Sequence, residues 1–355
     1  MAKYEFISDL IEKRIRLGDY ALKEIPAEEM LASEVGVARM TARRAMLQLV
    51  DKGLLVRQPN GRLAVNHEQV SGGTLPQLAL LMPAYPSCPQ FDRWRTAAEQ
   101  AASKLRANLR KVEFVHWEDP TVLDALDRFE GVFLIAGSEP VLPQVLDRIR
   151  QHRTRIVVID SDWSAHGIRS IDLMPVNQIR DLLEHLAQLG HRRIACLNTQ
   201  PLTEDTRWRI REWERWMEEK GFSGRLINEP VPAFGTPQDR SYEVMSKFLQ
   251  ARKPDFTAIL SITAWAAIGA MRAMHDAGIK IGQDVSICAA NDEGMGRYLY
   301  PTLTATHMPD PEPFLEVGFE WMLQLKKDWG APMLLQPASV PLFIGASTGV
   351  CPAGE

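Results

Sequence analysis

Apolar residues recur at helical spacing in three segments near the N-terminus. The apolar stripe of the first segment is Tyr4, Ile7, Leu10, Ile11 and Ile15. Gly18 follows this stripe where a C-terminal cap is expected, and the second segment starts with Pro26 and two acids, as helix N-termini do. The third segment follows a turn at Gly36, and its stripe is Ala42, Ala45, Met46 and Leu49. The spacing predicts three short helices.

The pattern becomes strand-like after the third segment. The stretch "LLVRQPNGRLAVN" places two short apolar runs on either side of Pro59, Asn60 and Gly61, residues typical of a tight turn. Three helices followed by a β-hairpin form a winged helix-turn-helix, which we predict for residues 1–66. Residues 67–76 include Gly72 and Gly73, show no apolar periodicity and are predicted to be a linker.

Short apolar runs alternate with amphipathic helices over residues 77–350. The strand candidates are "LALLMP", "VEFVHW", "GVFLIAG", "RIVVID", "RIACLN", "TAILSI" and "DVSICA". Such alternation is typical of parallel sheets wrapped by helices. We therefore predict an α/β fold for this segment, divided into two lobes.

Composition places the chain among ordinary globular proteins. Of its 355 residues, 45% are hydrophobic and 24% charged, and the formal net charge is −4. No apolar run is long enough to span a bilayer, and the N-terminal segment lacks the apolar centre of a signal peptide, so we expect a cytoplasmic protein without membrane contact. The four cysteines lie far apart without metal-ligand spacing, so we expect no metal site.

The mean charge hides a basic segment. Between Gly36 and Arg62 there are six basic residues and one acid, Asp51, a net charge of +5. A solvated helix face could explain this run. A helix that enters the major groove of DNA, however, needs cations and short polar groups at its N-terminal end. The candidate DNA-binding residues are Arg39, Thr41, Arg43, Arg44, Lys52, Arg57, Gly61 and Arg62.

The N-terminal segment resembles the winged helix of the gluconate-repressor (GntR) superfamily. The resemblance rests on "IPAEEMLASEVGVARMTARRAMLQLVDKGLLVRQPNGRLAV" and spans about residues 4–66. It implies a transcription regulator that binds a double-stranded DNA operator. The sequence departs from the family pattern at Ala27, where a serine would cap the second helix, and at Glu29, where a DNA-contacting arginine is usual.

Polar and aromatic residues gather after the predicted strands of the larger domain. Ligands of open α/β sheets bind at the carboxyl ends of the strands. Aromatic faces mixed with carboxylates and amides suit a polyhydroxylated ligand, because each buried hydroxyl needs a hydrogen-bond partner. The tryptophans could instead simply pack the lobes. The candidates are Tyr85, Phe91, Asp160, Trp163, Thr263, Trp265, Asn291 and Asp292.

The larger domain resembles the effector domain of the lactose/galactose-repressor family, which has a periplasmic-binding-protein-like fold. The segments "LLEHLAQLGHRRIACLN" and "IGAMRAMHDAGIKIGQDVSICAANDEGMG" carry the resemblance. It implies a homodimeric repressor with a sugar effector, and it adds Arg209 to the candidate effector-binding residues. The sequence departs from the motifs of this family at Thr263-Ala264, at Asn291 and at Glu212. The combination of both domains is similar to arabinose-repressor-type regulators.

Two other classes of protein are compatible with the alternating pattern of the larger domain. A sugar-modifying α/β enzyme could use Asp160 and Asp162 as a carboxylate pair, and a solute-binding protein could have the same two lobes. The sequence contains no G-x-G-x-x-G loop after the first strand, no P-loop and no HExxH motif. We therefore expect neither catalytic residues nor a cofactor.

Overall fold

The computed structural model describes residues 3–66, 76–84, 89–175, 177–233, 235–325 and 333–352. Its N-terminal unit has five elements: α1 (Lys3–Arg16), α2 (Glu28–Val35), α3 (Arg39–Asp51), β1 (Leu55–Arg57) and β2 (Leu63–Val65). The two strands pair antiparallel, with Leu55 opposite Val65. The side chains at the centre of this unit are fully buried, and they include Ile7, Ile11, Leu31, Ala42 and Leu49. The predicted three helices and hairpin are confirmed. Residues 67–75 of the predicted linker lie outside the described residues.

The turn between α2 and α3 depends on one glycine. Gly36 has a φ of 69°, in the left-handed region that favours glycine, and its N–H donates to the Ala32 carbonyl at the end of α2. At the other end of α2, the cap position is Ala27, which makes no side-chain capping bond. Glu28 and Glu29 occupy the first turn instead, where the helix dipole favours negative charge.

The first lobe is a six-stranded parallel sheet with helices on both faces. Its strand order is β13-β7-β6-β5-β3-β4. The strands are β3 (Gln77–Pro83), β4 (Asn108–Phe114), β5 (Gly131–Ile135), β6 (Arg155–Ile159), β7 (Arg169–Ile171) and β13 (Leu334–Leu335). The helices are α4 (Pro89–Lys104), α5 (Pro120–Arg128), α6 (Pro143–Gln151) and α11 (Glu312–Met322). Separate hydrophobic clusters cover the two faces of the sheet.

The second lobe repeats this plan, with one antiparallel edge strand. Its strand order is β14-β12-β11-β10-β8-β9, and β14 pairs antiparallel with β12. The strands are β8 (Ile194–Asn198), β9 (Leu226–Asn228), β10 (Ala258–Ser261), β11 (Ser286–Ala289), β12 (Thr304–Thr306) and β14 (Leu342–Phe343). The helices are α7 (Gln178–Gln188), α8 (Glu204–Lys220), α9 (Pro237–Ala251) and α10 (Ala264–Asp276). The predicted α/β class with two lobes is confirmed.

The chain passes between the lobes three times, between β7 and α7, between β12 and α11, and between β13 and β14. Helix α11 follows β12 of the second lobe in sequence, but it packs on the first lobe. Its Phe319 ring lies 4.7 Å from the ring of Phe133, between centroids, and Gly318 leaves space for that contact. Neither lobe is therefore one continuous stretch of sequence.

The winged-helix unit contacts the first lobe directly. The Arg16 carbonyl accepts hydrogen bonds from Gln77 Nε2 at 2.8 Å and from Asn108 Nδ2 at 2.7 Å. Asp19 pairs with Arg110, and Ala21 packs into the core of the first lobe. Gln77 and Asn108 begin β3 and β4, so this contact lies at the end of the sheet opposite its carboxyl edge. In the described part of the chain, no helix is long and apolar enough to cross a membrane.

Candidate functional site

Helix α3 presents its arginines to solvent beside two other helices. The side chains of Arg39 and Arg43 are 61% and 52% exposed and face the first turn of α2. Arg44 points toward α1, where its guanidinium lies 4.0 Å from the centre of the Tyr4 ring. The exposed arginines of α3 thus form a basic surface with two sides: Arg39 and Arg43 face α2, and Arg44 faces α1.

The hairpin adds a second basic part to this surface. Gly61 has a φ of 81°, and its carbonyl accepts a hydrogen bond from Arg57 Nη1 at 3.1 Å. Asn60 Oδ1 accepts from the Arg62 N–H at 3.0 Å and fixes the turn. The tip of the hairpin is therefore ordered by its own hydrogen bonds.

Acids of the first helix and of the segment before the second helix pair with these basic residues, which the sequence pattern did not reveal. Lys52 Nζ lies 2.7 Å from Glu12, and Arg62 Nη1 lies 3.0 Å from Glu24. Residues 3–66 carry eleven Lys and Arg against nine Asp and Glu, a surplus of only two positive charges. The local excess of +5 in the third helix and hairpin is therefore largely balanced by neighbouring carboxylates.

A second polar cluster lies between the two lobes, where the parallel strands end. Asp160 follows β6 with a φ of 69°. Its Oδ1 accepts hydrogen bonds from Gln90 Nε2 at 2.6 Å and from Trp94 Nε1 at 2.9 Å, both on α4. Burial raises the pKa of Asp160 to about 6, although both hydrogen bonds act to lower it.

The second lobe contributes Arg209 and the residues that follow β11. Arg209 Nη1 donates to the Ile262 carbonyl at 3.0 Å, which holds the guanidinium at the end of β10. Asn291 has a φ of 63°, is buried, and donates from Nδ2 to Glu293 Oε1 at 2.9 Å. Asp292 is 2% exposed and lies 3.3 Å from His307 Nδ1. Asn291 and Asp292 follow the carboxyl end of β11, where the strand-end rule places them, whereas Arg209 was predicted from the family resemblance.

Three further carboxyl groups complete the cluster, and the sequence analysis missed them. Asp172 follows β7, Asp205 lies in the first turn of α8, and Glu293 follows Asp292. Burial raises the pKa of all three carboxyls, to about 7 for Asp172 and for Glu293. Asp172 ends the short run "RSID" as Asp160 ends "RIVVID", so the strand-end rule could have found it.

Asp292 and Glu293 of this cluster line a cavity of about 300 Å³ between the lobes. From the first lobe Gln90 and Arg93 line this cavity, and from the second lobe Glu293 and His307 do. The Ser161 hydroxyl of the first lobe also lies 3.4 Å from the Asp205 carboxylate of the second. The cavity is large enough for a small molecule that both lobes would contact.

The aromatic candidates do not gather as predicted. Phe91 packs partly buried against the core of the first lobe, and Trp265 is half-buried at the start of α10. Trp163 is a correction: it is 8% exposed inside the core of the first lobe, with its ring 5.8 Å from that of Trp117. Its large apolar surface is satisfied by the core, so we leave it out of the site. Tyr85 lies outside the described residues.

Thr263, a candidate, and Glu212, a departure from the family motif, both have clear structural partners. Thr263 caps α10, since its Oγ1 accepts from the Ala266 N–H, and it also accepts from Gln200 Nε2 at 3.1 Å. Glu212, at the position where the family motif has a glycine, is buried and pairs with Arg180 and Arg215. Arg209 is therefore free of the ion pair with Glu212 that its helix could have formed. Within the described residues, no three His, Cys, Asp or Glu side chains could together hold a metal ion.

Two family models match the chain. The model of the bacterial regulatory proteins of the gntR family covers residues 3–65, and that of the periplasmic binding protein-like domain covers residues 183–347. The chain joins a gntR-family helix-turn-helix domain to a periplasmic-binding-protein-like domain. Both resemblances in the sequence are thereby confirmed.

Curated relatives and solved structures agree with this assignment. The HTH-type transcriptional regulator GalR of Escherichia coli is 30% identical over 206 residues, which are 50% of this chain and 59% of the relative. The chain thus matches less than two thirds of that relative's length. The crystal structure of the lac repressor dimer bound to operator and the anti-inducer ONPF superimposes with a TM-score of 0.65 at 20% identity, covering 79% of this chain and 96% of the repressor.

A second solved structure shows the same fold. A LacI family transcriptional regulator from Arthrobacter sp. FB24, in complex with lactose, has a TM-score of 0.60 at 17% identity, covering 77% of this chain and 99% of the other. At these identities the structures establish the fold of the periplasmic-binding-protein-like domain. These relatives and neighbours are transcription regulators, not enzymes.

Proposed function

We propose that the protein is a sequence-specific transcription regulator, a repressor that acts in the cytoplasm and whose operator affinity is controlled by a small molecule. The observation that carries this proposal is the direct connection of a gntR-family helix-turn-helix domain to a two-lobed domain with a polar cavity between its lobes. The names of the relatives favour regulation over the two alternatives, a sugar-modifying enzyme and a solute-binding protein.

The helix-turn-helix domain would bind DNA through α3 and the hairpin. We assign Arg39, Thr41 and Arg43 to base edges, because they lie in the N-terminal half of α3. Lys52, Arg57, Gly61 and Arg62 would lie along the phosphates, together with Arg44. Two copies of the chain would present two such domains to an approximately palindromic operator, so we propose a homodimer.

The cavity would bind the effector, which we propose to be a sugar. Asp292 lines the cavity, and Asp160, Arg209 and Asn291 belong to the same polar cluster. Carboxylate, guanidinium and amide groups pair well with hydroxyls. Gln90 of the first lobe and Asp292 of the second both line the cavity, so a bound ligand would contact both lobes. Binding would shift the lobes toward their closed arrangement, and this shift would alter operator affinity.

The DNA-binding half of the proposal is tested by selection. Full-length protein is mixed with a library of randomised duplexes, and bound duplexes are enriched over several rounds. We expect a motif with two related half-sites, and sedimentation of the protein as a dimer at micromolar concentration. A library that stays unenriched would contradict sequence-specific binding, and a persistent monomer would contradict the half-site arrangement.

The effector half is tested by thermal shift against free and phosphorylated mono- and disaccharides. A ligand present at 100 times its dissociation constant stabilises the folded protein by about 2.7 kcal/mol. We expect one saturable shift, lost in Arg209→Ala. A panel without any shift would contradict a sugar effector.

A further inference from the structure

The first turn of α2 places two carboxylates beside the arginines of α3. Arg39 Nη1 donates to Glu29 Oε1 at 2.6 Å, and Arg39 Nε lies 3.6 Å from Glu28 Oε2. Glu28 Oε1 also lies 3.9 Å from Arg43 Nε. The two acids thus connect to both arginines that we assign to base edges.

These ion pairs add little to the stability of the domain. The side chains of Arg39 and Glu29 are 61% and 70% exposed, and exposed ion pairs stabilise a fold by about 0–1 kcal/mol. Buried apolar residues such as Leu31 and Leu49 hold α2 against α3 without them. A role for the two acids therefore has to be sought on the surface that meets DNA.

The carboxylates change what the arginines can do on that surface. A guanidinium has five N–H donors in a rigid plane, so a hydrogen bond from Nη1 to Glu29 fixes the direction of the remaining donors. The negative charges of Glu28 and Glu29 also repel phosphates, and an arginine already paired with an acid releases less counterion when DNA binds. Contacts with phosphates are weakened, whereas directed hydrogen bonds to base edges are retained.

We propose that Glu28 and Glu29 are specificity-determining residues. They orient Arg39 and Arg43 for base edges and lower the affinity of the domain for DNA of any other sequence. The inference rests on the proposed function, since it presupposes binding to DNA. Arg39 and Arg43 distinguish one base sequence from another because the two acids of the neighbouring helix restrain their guanidinium groups.

The test compares Glu28→Gln and Glu29→Gln with a control on the same helix. Glu34→Gln removes the same charge from α2, but Glu34 pairs with Arg14 of α1 at 2.7 Å and not with α3. Binding of full-length protein is measured by fluorescence anisotropy over a series of salt concentrations. The probes are a 30-base-pair duplex of scrambled sequence and the duplex enriched by the wild-type protein, and circular dichroism checks that each variant is folded.

We expect each glutamine variant at positions 28 and 29 to bind the scrambled duplex about two- to fivefold more tightly, the effect of about 0.4–1 kcal/mol from one surface charge. The salt dependence should steepen by about 0.9 for each additional phosphate neutralised. Affinity for the enriched duplex should rise less, so that the ratio of the two affinities falls. Glu34→Gln should behave like the wild type.

Three results distinguish failure of this inference from failure of the proposed function. Unchanged affinities and salt dependence in both variants, with an operator enriched by the wild type, would overturn the inference and leave the proposed function standing. Equal changes in Glu34→Gln would also overturn it, because the effect would then belong to net charge alone. A wild type that enriches no duplex would contradict the proposed function itself, whereas the salt dependence on the scrambled duplex would still decide whether the two acids weaken phosphate contacts.

Discussion

The folded protein should lose stability as the pH rises and Glu293 in the cleft ionises, and replacing Glu293 by glutamine should abolish this loss. Burial and the neighbouring Asp160 carboxylate raise the pKa of Glu293 to about 7, from an ordinary value of 4.5. In the folded protein the carboxyl is therefore mainly neutral at pH 5 and ionised at pH 8. In the unfolded chain it is ionised at both. Stability contributed by this group is present below pH 4.5 and is lost as the pH rises through 7.

The size of this loss follows from the same two values. Each factor of ten in proton affinity corresponds to 1.36 kcal/mol, so ionised Glu293 destabilises the folded state by at most about 3 kcal/mol. Asp160 and Asp172 also have raised pKa values, so the quantity to compare is the difference between variant and wild type. About 1 kcal/mol shifts the Tm of a protein of this size by roughly 2–4 °C.

The assay is thermal unfolding of wild type and Glu293→Gln between pH 5 and pH 8, without ligand. At pH 5 the two Tm values should nearly coincide, because glutamine resembles the neutral carboxyl. At pH 8 the variant should be more stable by several degrees. Glu118→Gln, at an exposed position, serves as the control and should show no such trend. A difference that is independent of pH, or a wild type that is more stable than the variant at pH 8, would refute the buried arrangement of the carboxyls.

Three further substitutions test other parts of the account. Arg44→Ala should weaken binding to all duplexes by less than about 1 kcal/mol and lower the salt dependence by about one, because Arg44 lies over Tyr4 and away from Arg39; a loss confined to the operator would show that it reads a base. Arg209→Ala should abolish the effector response and leave operator affinity without effector nearly intact, so a normal response would remove it from the site. Arg110→Ala, which breaks the pair with Asp19, should reduce the effector's influence on operator affinity severalfold, and an unaltered influence would mean that this contact transmits nothing.

Much of the fold could be predicted because local patterns determine it. The helical stripe that ends before Gly18 corresponds to α1, and the turn residues around Gly61 correspond to the hairpin between β1 and β2. The strand-end rule also located Asp160 and Asn291, since parallel strands expose their carboxyl ends at one edge of a sheet. These features depend on residues that are neighbours in sequence.

What could not be predicted depends on contacts between distant segments. Glu12 lies beside Lys52 only because α1 packs on α3, so the balance of charge on the basic surface is invisible in the run from Gly36 to Arg62. Helix α11 joins the first lobe although its sequence follows the second. Trp163 follows a predicted strand, as a ligand-binding tryptophan would, and only its packing against Trp117 shows that it belongs to the core.

The central claim is that a ligand in the cleft controls binding of DNA by the helix-turn-helix domain. The most direct test measures the affinity of full-length protein for its enriched duplex, at fixed salt, with and without the saccharide that gives the thermal shift. We predict a weakening of at least tenfold when the saccharide saturates the protein, with the affinity for scrambled duplex little changed, since a coupling free energy of 1.4 kcal/mol corresponds to about that factor. Equal affinities for the enriched duplex in both conditions would contradict the claim.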